Sequence, residues 1–568
     1  MDIENATIEA LQQALGTGRT SATDLVRRYL ARIDAYDRAG PGLNAVREVN
    51  PGALAIAAEL DAKKPATRRP LEGIPILIKD NIATADRQHT TAGALALAEA
   101  RAKRDATVTR LLRDAGAIIL GKANLTEFAN IVAVDMPSGY SSLGGQVKNP
   151  YAPQLDDKNV PIVQPGGSSS GSAVAVAAGL AAAAIGTETS GSLLSPAHQN
   201  GLVTVKPTVG LISRAGIIPI AHSQDTAGPL TRTVRDAAIL LNVLAVVDPL
   251  DYATTMLQRP ADYTSCLDED GLKGARIGVP SQSSDPGNDV FYGPLPRRAR
   301  QVMQDAIAVL EARGATVVRS NIPTVGWLQG PGTEMAILNL NPESPDRNKV
   351  VRRPIVFIYE LKHDLDAYLS DWASETPMRS LTDIVAFNAA HADRALRFGQ
   401  DIFLAAVTTR GDLTEAEYTV ARAMDLRGAR THGLDAYMDQ HRLDAVLFPG
   451  WSGASISAKA GYPSVLVPAG FVSGVGGKET ADYPFGVTFA GRAWSEPMLL
   501  RLAYAFEQAT GAAEAAGHPA ARSGAGAIKG RESRPLRVGC WTRHVAAGAI
   551  DHELVRALVG RQLKARTA

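Results

Sequence analysis

The chain has 568 residues, and its 59 basic and 58 acidic side chains give a formal net charge of +1. This balance provides no bulk electrostatic attraction to nucleic acid or to an anionic membrane. Hydrophobic residues make up 45 % of the chain and charged residues 21 %, which is the mixture of a globular protein with a substantial core, so global disorder is excluded.

The cysteine content and the N-terminus bear on the compartment. Cys266 and Cys540 are too few for a disulfide framework, and their spacing is not that of a zinc site. The N-terminus lacks the basic start and apolar run of a signal peptide, and no run of about 18 apolar residues indicates a membrane span. We therefore expect a cytoplasmic protein with no metal and no membrane partner.

The first part of the chain alternates helix and strand patterns. Residues 73–81 contain a short apolar run without polar alternation, which is typical of a strand buried on both faces, and Lys79 closes it. A helix is predicted over Thr107–Ala115, and a second buried strand follows at Ala117–Leu120. This order is typical of an α/β sheet.

Similar short strand patterns return late in the chain, at residues 445–448, 464–467 and 486–489. Strands at both ends of the chain with helical segments between them predict one sheet that is closed by distant segments of the chain. The predicted architecture is a single large α/β domain.

The domain boundaries follow from composition. We expect one domain over residues 1–511, in which residues 281–440 form a more helical cap or lid. Residues 512–568 turn to Ala, Gly and Arg, and we expect a weakly packed tail there.

The densest chemical signal is a pair of loops rich in small residues, at residues 164–172 and 186–196, on either side of an alanine-rich helical segment. Glycine and serine permit close backbone approaches, and consecutive N–H groups in such a turn can form an oxyanion hole. A Gly/Ser linker is the alternative interpretation, but linkers seldom flank so apolar a helix.

A phosphate-binding loop is one interpretation to consider. Residues Gly116–Lys122 match the pattern G-x-x-x-x-G-K, yet Ala123 replaces the hydroxyl residue that would hold magnesium. The intervening Ala-Ile-Ile-Leu predicts a strand, so this interpretation is rejected.

An α/β-hydrolase nucleophile elbow is a second interpretation. Residues 167–171 satisfy G-x-S-x-G with Ser169 as the nucleophile, and a helical segment follows. That mechanism requires a later acid and a histidine, and none of the ten histidines lies in a context that marks it as a general base.

A third interpretation uses Lys79, Ser168 and Ser192. The run at residues 73–81, the Gly-Gly-Ser-Ser-Ser-Gly loop and the Gly-Thr-Glu-Thr-Ser-Gly-Ser loop together resemble the amidase signature family, in their order and in the 24-residue spacing of the two serines. The resemblance extends to about Gly511, and it implies a single α/β domain in which a central mixed sheet is covered by helices. Within the family the chain is most similar to bacterial peptide amidases.

The resemblance implies a role for each residue. Ser192 would be the acyl-forming nucleophile, Ser168 the cis-peptide serine that relays a proton, and Lys79 the final base. The oxyanion hole would be formed by the backbone amides of Thr189, Ser190, Gly191 and Ser192. The resemblance implies no metal and no organic cofactor.

Elementary chemistry supports a lysine base only if that lysine is buried. The reference pKa of about 10.4 makes lysine a poor base at neutral pH, but burial lowers this value by several units. The apolar strand before Lys79 offers such burial. A lysine that only extends from a strand end to solvent is the structural alternative.

The sequence departs from the family's commonest pattern at two positions. Ser190 stands where glycine is frequent, and Leu194 stands where arginine is frequent. Loss of that arginine leaves Asp225 without an expected partner.

We expect an amide hydrolase that acts on small-molecule or peptide carboxamides, with C-terminal peptide amides first. Alternatives are an aryl-amide, anilide or other xenobiotic amide hydrolase, the glutaminase subunit of a tRNA-dependent amidotransferase, and a non-catalytic binding protein. We expect a monomer or homodimer without a nucleic-acid partner.

Overall fold

The predicted α/β alternation is present in the structure, a computed structural model that describes residues 2–63, 68–281, 289–324, 327, 332–341, 348–472 and 482–512. These residues fall within one unit, Met1–Ser523. The predicted tail lies outside the described residues except for its first residue, Ala512.

The strands are between two and nine residues long. They are β1 Val46–Val49, β2 Pro75–Lys79, β3 Arg101–Ala102, β4 Ile118–Ala123, β5 Tyr140–Ser141, β6 Gly145–Gln146, β7 Ala183–Glu188, β8 Val203–Lys206, β9 Thr226–Thr231, β10 Arg276–Val279, β11 Thr316–Arg319, β12 Glu334–Leu338, β13 Val350–Pro354, β14 Ala373–Ser374, β15 Ala445–Pro449, β16 Ser464–Val472 and β17 Tyr483–Ala490.

The helices cover the sheet and fill the intervals between strands. They are α1 Ile8–Gly16, α2 Ala22–Arg32, α3 Ala53–Lys63, α4 Thr107–Asp114, α5 Ser170–Ala177, α6 Leu194–Asn200, α7 Val234–Leu244, α8 Arg297–Ala312, α9 Ile355–Asp371, α10 Leu381–Ala390, α11 Ala392–Ala395, α12 Asp401–Val407, α13 Ala416–Asp425, α14 Ala436–His441, α15 Ala454–Ala460 and α16 Glu496–Thr510. None of the described helices is both long and apolar enough to cross a bilayer.

Eleven of the described strands form one sheet in the order β1-β4-β2-β7-β9-β8-β16-β17-β15-β10-β11. The pairs β2/β4, β2/β7, β10/β11 and β10/β15 are parallel, and the other pairs are antiparallel. The prediction of a central mixed sheet built from both ends of the chain is therefore confirmed. Within the segment predicted as a cap, β11 is an edge strand of this sheet.

The centre of the sheet positions the two small-residue loops. Every residue of β2, β4 and β7 is buried. The apolar runs predicted as strands form β2 and the first part of β4. β7 corrects the prediction, because the sequence pattern assigns its residues to the end of the alanine-rich helical segment and to the start of the second loop, whereas α5 ends at Ala177. In the parallel pair, Ile78 lies opposite Ile185. The carboxyl ends of β2 and β7 therefore meet at one edge of the sheet, where Lys79 and the second loop come together.

The rejection of a phosphate-binding loop agrees with the structure. Lys122 lies in β4 and is buried, and its Nζ donates hydrogen bonds to the Ile82 carbonyl at 2.6 Å and to Thr90 Oγ1 at 3.0 Å. A lysine committed to these two acceptors inside the sheet is a structural residue.

Candidate active site

Lys79, the last residue of β2, is completely buried. Its Nζ lies 2.8 Å from Ser168 Oγ, 2.8 Å from Thr187 Oγ1 and 3.3 Å from the Thr187 carbonyl oxygen. All three contacts are neutral oxygens. The alternative of a lysine that extends to solvent is therefore wrong, and the burial expected of a lysine base is present.

Burial sets the proton affinity of this amine. Loss of hydration lowers the pKa of Lys79 to about 7, although the negative charges of Asp225 and Glu188 act in the opposite direction. Because no carboxylate of the described residues contacts Nζ directly, desolvation is the larger influence. A substantial fraction of the amine is thus neutral near pH 7, the state in which it accepts a proton.

Ser168 lies in the first small-residue loop, and its side chain is buried. The Gly167–Ser168 peptide bond is cis, and the Ser168 carbonyl accepts a hydrogen bond from the Thr126 N–H at 3.0 Å. Gly166 has a φ of +72°, and a Cβ there would lie 2.5 Å from Pro196 Cα, so a larger residue would collide with α6. Backbone contacts of this closeness explain why the loop consists of glycine and serine.

Ser169, the candidate elbow nucleophile, has a structural role. It is buried, its Oγ donates to the Thr187 carbonyl at 3.0 Å, and the same Oγ accepts from the Thr187 N–H at 3.2 Å. No histidine among the described residues is hydrogen-bonded to it. The hydroxyl therefore ties the start of α5 to β7, and the nucleophile-elbow interpretation lacks its base.

Ser192 lies in the second small-residue loop, two residues before the first residue of α6, and 7 % of it is exposed. Its carbonyl accepts from the Ser169 N–H at 3.2 Å, which joins the two loops. Lys79 and Ser168 are in hydrogen-bond contact, whereas the Ser192 hydroxyl makes no hydrogen bond to another described residue. The structure therefore brings two of the three predicted residues into direct contact and places the third on the adjoining loop.

The N–H groups around Ser192 fall into two sets. Those of Leu193 and Leu194 donate to Glu188 Oε2, at 2.7 Å and 3.0 Å. Those of Ser190, Gly191 and Ser192 have no acceptor among the described residues. Glu188 thus fixes the start of α6 and leaves free donors within the stretch predicted to form the oxyanion hole.

Gly191 lies in this loop at a position where the backbone conformation requires glycine. Its φ is +88°, in the left-handed region, and a Cβ at this position would lie 3.2 Å from Trp451 Cε3. Trp451 follows β15 and is 46 % exposed. An exposed aromatic ring therefore adjoins the residue that precedes Ser192.

Asp225 corrects an expectation drawn from the sequence. Although Leu194 replaces the frequent arginine, Asp225 accepts hydrogen bonds from the Thr189 hydroxyl and from the N–H groups of Ile220, at 2.8 Å, and Ala221, at 2.9 Å. The absence of arginine therefore does not leave this carboxylate without partners. Burial raises its pKa to about 6, because the three hydrogen bonds offset the lost hydration only in part.

A cavity of about 240 Å³ lies beside these residues. Asn81, Thr187, Thr189 and Asp225 form the part of its wall that adjoins Lys79 and the second loop. Another part of the wall is the face of α9 that carries Asp364, Ala367, Tyr368 and Asp371. The loop between β8 and β9 contributes Arg214, Ile218 and His222. The site thus combines a buried amine with a mixed polar and apolar cavity.

Thr187 and Asn81 are site residues that the sequence analysis did not single out. Thr187 Oγ1 contacts Lys79 and also accepts from Asn81 Nδ2 at 3.0 Å. Both residues belong to the motifs that carry the resemblance, Lys-Asp-Asn and Gly-Thr-Glu-Thr-Ser-Gly-Ser. Their place in those motifs was the available signal, but only the pairing of β2 with β7 shows that they meet.

Comparison with known proteins agrees with this architecture. The family model described as amidase matches residues 24–500. The structure of a peptide amidase from Stenotrophomonas maltophilia is 41 % identical, with a TM-score of 0.77, and the match covers 89 % of this chain and 97 % of that one. An amidase family protein from Bacillus anthracis is 34 % identical, with a TM-score of 0.76 and coverage of 89 % and 91 %.

A relative from a multisubunit enzyme also matches over nearly its whole length. This relative, from the glutamyl-tRNA(Gln) amidotransferase of Desulforudis audaxviator, is 32 % identical over 536 residues, which cover 90 % of this chain and 97 % of the relative. The likeness read from the sequence motifs is confirmed by these matches. The chain therefore belongs to the amidase signature family and is an amide hydrolase.

Proposed function

We propose that the protein hydrolyses carboxamides through an acyl-enzyme on Ser192, with Ser168 as the proton relay and Lys79 as the base. The observation that carries this proposal is the buried Lys79 amine, whose pKa is lowered to about 7 and whose Nζ lies 2.8 Å from Ser168 Oγ. A neutral amine next to a serine hydroxyl is the arrangement that a serine–lysine mechanism requires.

The contacts of Lys79 support one direction of proton transfer. A neutral amine has two hydrogens and one lone pair. The Thr187 carbonyl oxygen can only accept, so it takes one amine hydrogen. Thr187 Oγ1 has two lone pairs, and in this proposal it accepts the second amine hydrogen as well as the hydrogen bond from Asn81. The lone pair is then directed at Ser168 Oγ, whose hydroxyl proton it can accept.

The proposed reaction uses this arrangement, in which the lone pair of Lys79 faces the Ser168 hydroxyl. Ser192 Oγ bonds to the amide carbon while its proton passes to Ser168, whose own proton passes to Lys79. The free N–H groups within residues 189–192 stabilise the negative charge that develops on the carbonyl oxygen. The proton returns through Ser168 to the nitrogen as the C–N bond breaks, and water then hydrolyses the ester by the same relay.

C-terminal peptide amides, which release ammonia, are the first candidate substrates. Support comes from the 41 % identity to the Stenotrophomonas maltophilia peptide amidase and from the cavity beside the site, which has room for a short segment of a substrate. Aryl amides and anilides are the alternative, because Tyr368 and Trp372 give part of the same wall an aromatic character. The ratio of kcat/KM for a dipeptide amide and for an anilide of the same acyl group separates the two.

Labelling with a fluorophosphonate, followed by mass-spectrometric mapping, tests the mechanism. We expect label on Ser192, no label in Ser192→Ala, and strongly reduced label in Lys79→Ala. Ser195→Ala is the matched control, because it removes a nearby serine hydroxyl that makes no hydrogen bond to a described residue, and it should keep the labelling. Label on Ser169 that survives Ser192→Ala would refute the assignment of the nucleophile.

A glutaminase role within an amidotransferase is the second candidate, favoured by the match over 97 % of the Desulforudis audaxviator relative. We propose instead that the chain works without a tRNA-binding partner, as a monomer or homodimer. Purified protein should release ammonia from a peptide amide at a rate far above that from free glutamine. Activity that appears only when a second protein is added would favour the amidotransferase role.

A further inference from the structure

Two histidines and a carboxylate, His222, His363 and Asp364, lie close together, and His222 and Asp364 line the cavity. His222 belongs to the loop between β8 and β9, and His363 and Asp364 lie on α9. His222 Nδ1 lies 3.0 Å from both carboxylate oxygens of Asp364, and His363 Nδ1 lies 2.8 Å from Asp364 Oδ1. One ligand atom from each of the three residues lies within 4.8 Å of the others.

The donor set and its surroundings fit a transition-metal ion. Two imidazole nitrogens and a carboxylate oxygen are typical ligands of Zn²⁺ and similar cations, whereas Mg²⁺ and Ca²⁺ prefer sites made of oxygen alone. The side chains of His222 and His363 are 46 % and 44 % exposed, so an ion can enter and keep water as a further ligand.

The neighbouring residues hold this cluster in place. The His222 N–H donates to Asp364 Oδ2 at 2.8 Å, which ties the loop to α9. The buried carboxylate of Glu360 lies 3.6 Å from His222 Nδ1 and is itself held by the Ser223 N–H and the Tyr418 hydroxyl. Glu360 therefore adds negative charge beside His222 Nδ1, which favours a bound cation.

A positive charge also lies close by. Arg214 donates to the His222 carbonyl, but its guanidinium is paired with Asp251, with Nε 2.7 Å from Oδ2. The charges of this ion pair cancel to a large extent, so the net charge around the two imidazoles remains negative through Asp364 and Glu360.

We propose that His222, His363 and Asp364 bind one divalent transition-metal ion of the Zn²⁺ class, and that the bound ion slows amide hydrolysis. His222 and Asp364 both line the cavity, so the ion and its water ligands narrow its rim and place positive charge there. The ion also links α9 to the loop that carries Asp225, which in turn holds Thr189. The binding half of this proposal does not depend on the assigned catalytic residues.

Titration of the tag-free, full-length protein with Zn²⁺ in a calorimeter tests binding. We expect the wild-type protein to bind one equivalent of Zn²⁺ at the cluster. In His222→Ala and in His363→Ala, this binding should be lost or its affinity should fall by about tenfold or more. His432→Ala removes an exposed histidine outside the cluster, and this variant should still bind one equivalent of Zn²⁺ with unchanged affinity. Asp364→Asn preserves the shape of the side chain and separates loss of a ligand charge from loss of folding. Unchanged binding in all three cluster variants would overturn the proposal.

Co²⁺ gives a spectroscopic measure of the same site. Visible absorption bands of Co²⁺ bound through nitrogen ligands should appear with the wild-type protein and be lost on addition of one equivalent of Zn²⁺, but not on addition of Mg²⁺ or Ca²⁺. Bands that persist unchanged in the His222→Ala and His363→Ala proteins would place the ion elsewhere and refute the site.

The effect on turnover is measured with a peptide amide that does not chelate metals. Zn²⁺ should slow ammonia release by the wild-type protein, and EDTA should restore it. His363 does not line the cavity, so the His363→Ala protein should keep its metal-free rate and lose its sensitivity to Zn²⁺. Binding of Zn²⁺ at the cluster with no change in rate would overturn the inhibitory half of the proposal.

Discussion

Lys79 Nζ lies 2.8 Å from Thr187 Oγ1, so the last residue of β2 is held by the next-to-last residue of β7. The same hydroxyl accepts from Asn81 at 3.0 Å. In the proposed mechanism this hydroxyl and the Thr187 carbonyl take the amine hydrogens, so that the lone pair faces Ser168. We therefore propose Thr187 as a positioning residue for the base.

Replacing Thr187 by valine should slow turnover and move its pH dependence. The lost hydrogen bond to a group that becomes charged is worth about 1.5–3 kcal/mol, which corresponds to a decrease in kcat of roughly tenfold to hundredfold. Because the hydroxyl stabilises the ammonium form most, its loss lowers the pKa of Lys79 and shifts the acid limb of kcat/KM to lower pH. Thr187→Ser retains the hydroxyl, so both its kcat and the pH of its acid limb should match those of the wild type. Full activity with an unmoved limb in Thr187→Val would contradict this role.

The burial of Lys79 should also appear in the stability of the protein. Its folded pKa is lowered to about 7, whereas the unfolded side chain stays protonated to about pH 10. Between these values unfolding takes up a proton, so the free energy of unfolding contains a contribution that rises by about 1.4 kcal/mol per pH unit. Lys79→Met lacks this contribution and should be more stable than the wild type at pH 7, with the difference shrinking toward pH 10.

Urea unfolding at pH 7, 8 and 9 measures the difference between the two proteins. Burial also lowers the pKa values of Lys122 and Lys206, to about 8. Both lysines are present in both proteins, so their contributions cancel in the difference between the two free energies of unfolding. Lys273→Met, which removes an exposed lysine, should track the wild type. Parallel stability profiles for the wild type and Lys79→Met would show that the Lys79 amine keeps its proton in the folded protein.

The sequence predicted β2 and β4, but it predicted neither β7 nor the contacts between these strands. The apolar run ending at Lys79 is typical of a buried strand, and it forms β2. The pairing of β2 with β7 joins residues more than one hundred positions apart, and no local pattern encodes which strands become neighbours. The contact of Lys79 with Thr187 was therefore not predicted. For the same reason the partners of Asp225 were missed, since two of them are backbone N–H groups whose direction depends on the path of a loop.

Asp225 should tune the proton affinity of Lys79. Its carboxylate is one of two negative charges that raise the pKa of the amine against the effect of burial. Asp225→Asn keeps the size of the side chain and removes the charge, so the pKa of Lys79 falls and the acid limb of kcat/KM moves to lower pH. Asp371→Asn, a change of the same kind elsewhere on the cavity wall, should leave the limb in place. An acid limb that moves to higher pH in Asp225→Asn would contradict the proposed electrostatic coupling.

The conformation of Gly191 should matter for turnover because it directs N–H groups next to Ser192. Alanine at this position must adopt a φ of +88°, which costs about 1–2 kcal/mol, and its Cβ meets the Trp451 ring at 3.2 Å. The loop is expected to relax and turn its donors away from the carbonyl oxygen, which lowers kcat by about a hundredfold. Gly274→Ala is the matched control, because Gly274 has a φ of +77° with open space around it, so the strain is similar and kcat should be unchanged. In a Trp451→Ala background the contact with the ring is gone but the strained φ remains, so Gly191→Ala should still lower kcat. Full recovery of kcat in that background would assign the effect to the ring and not to the backbone.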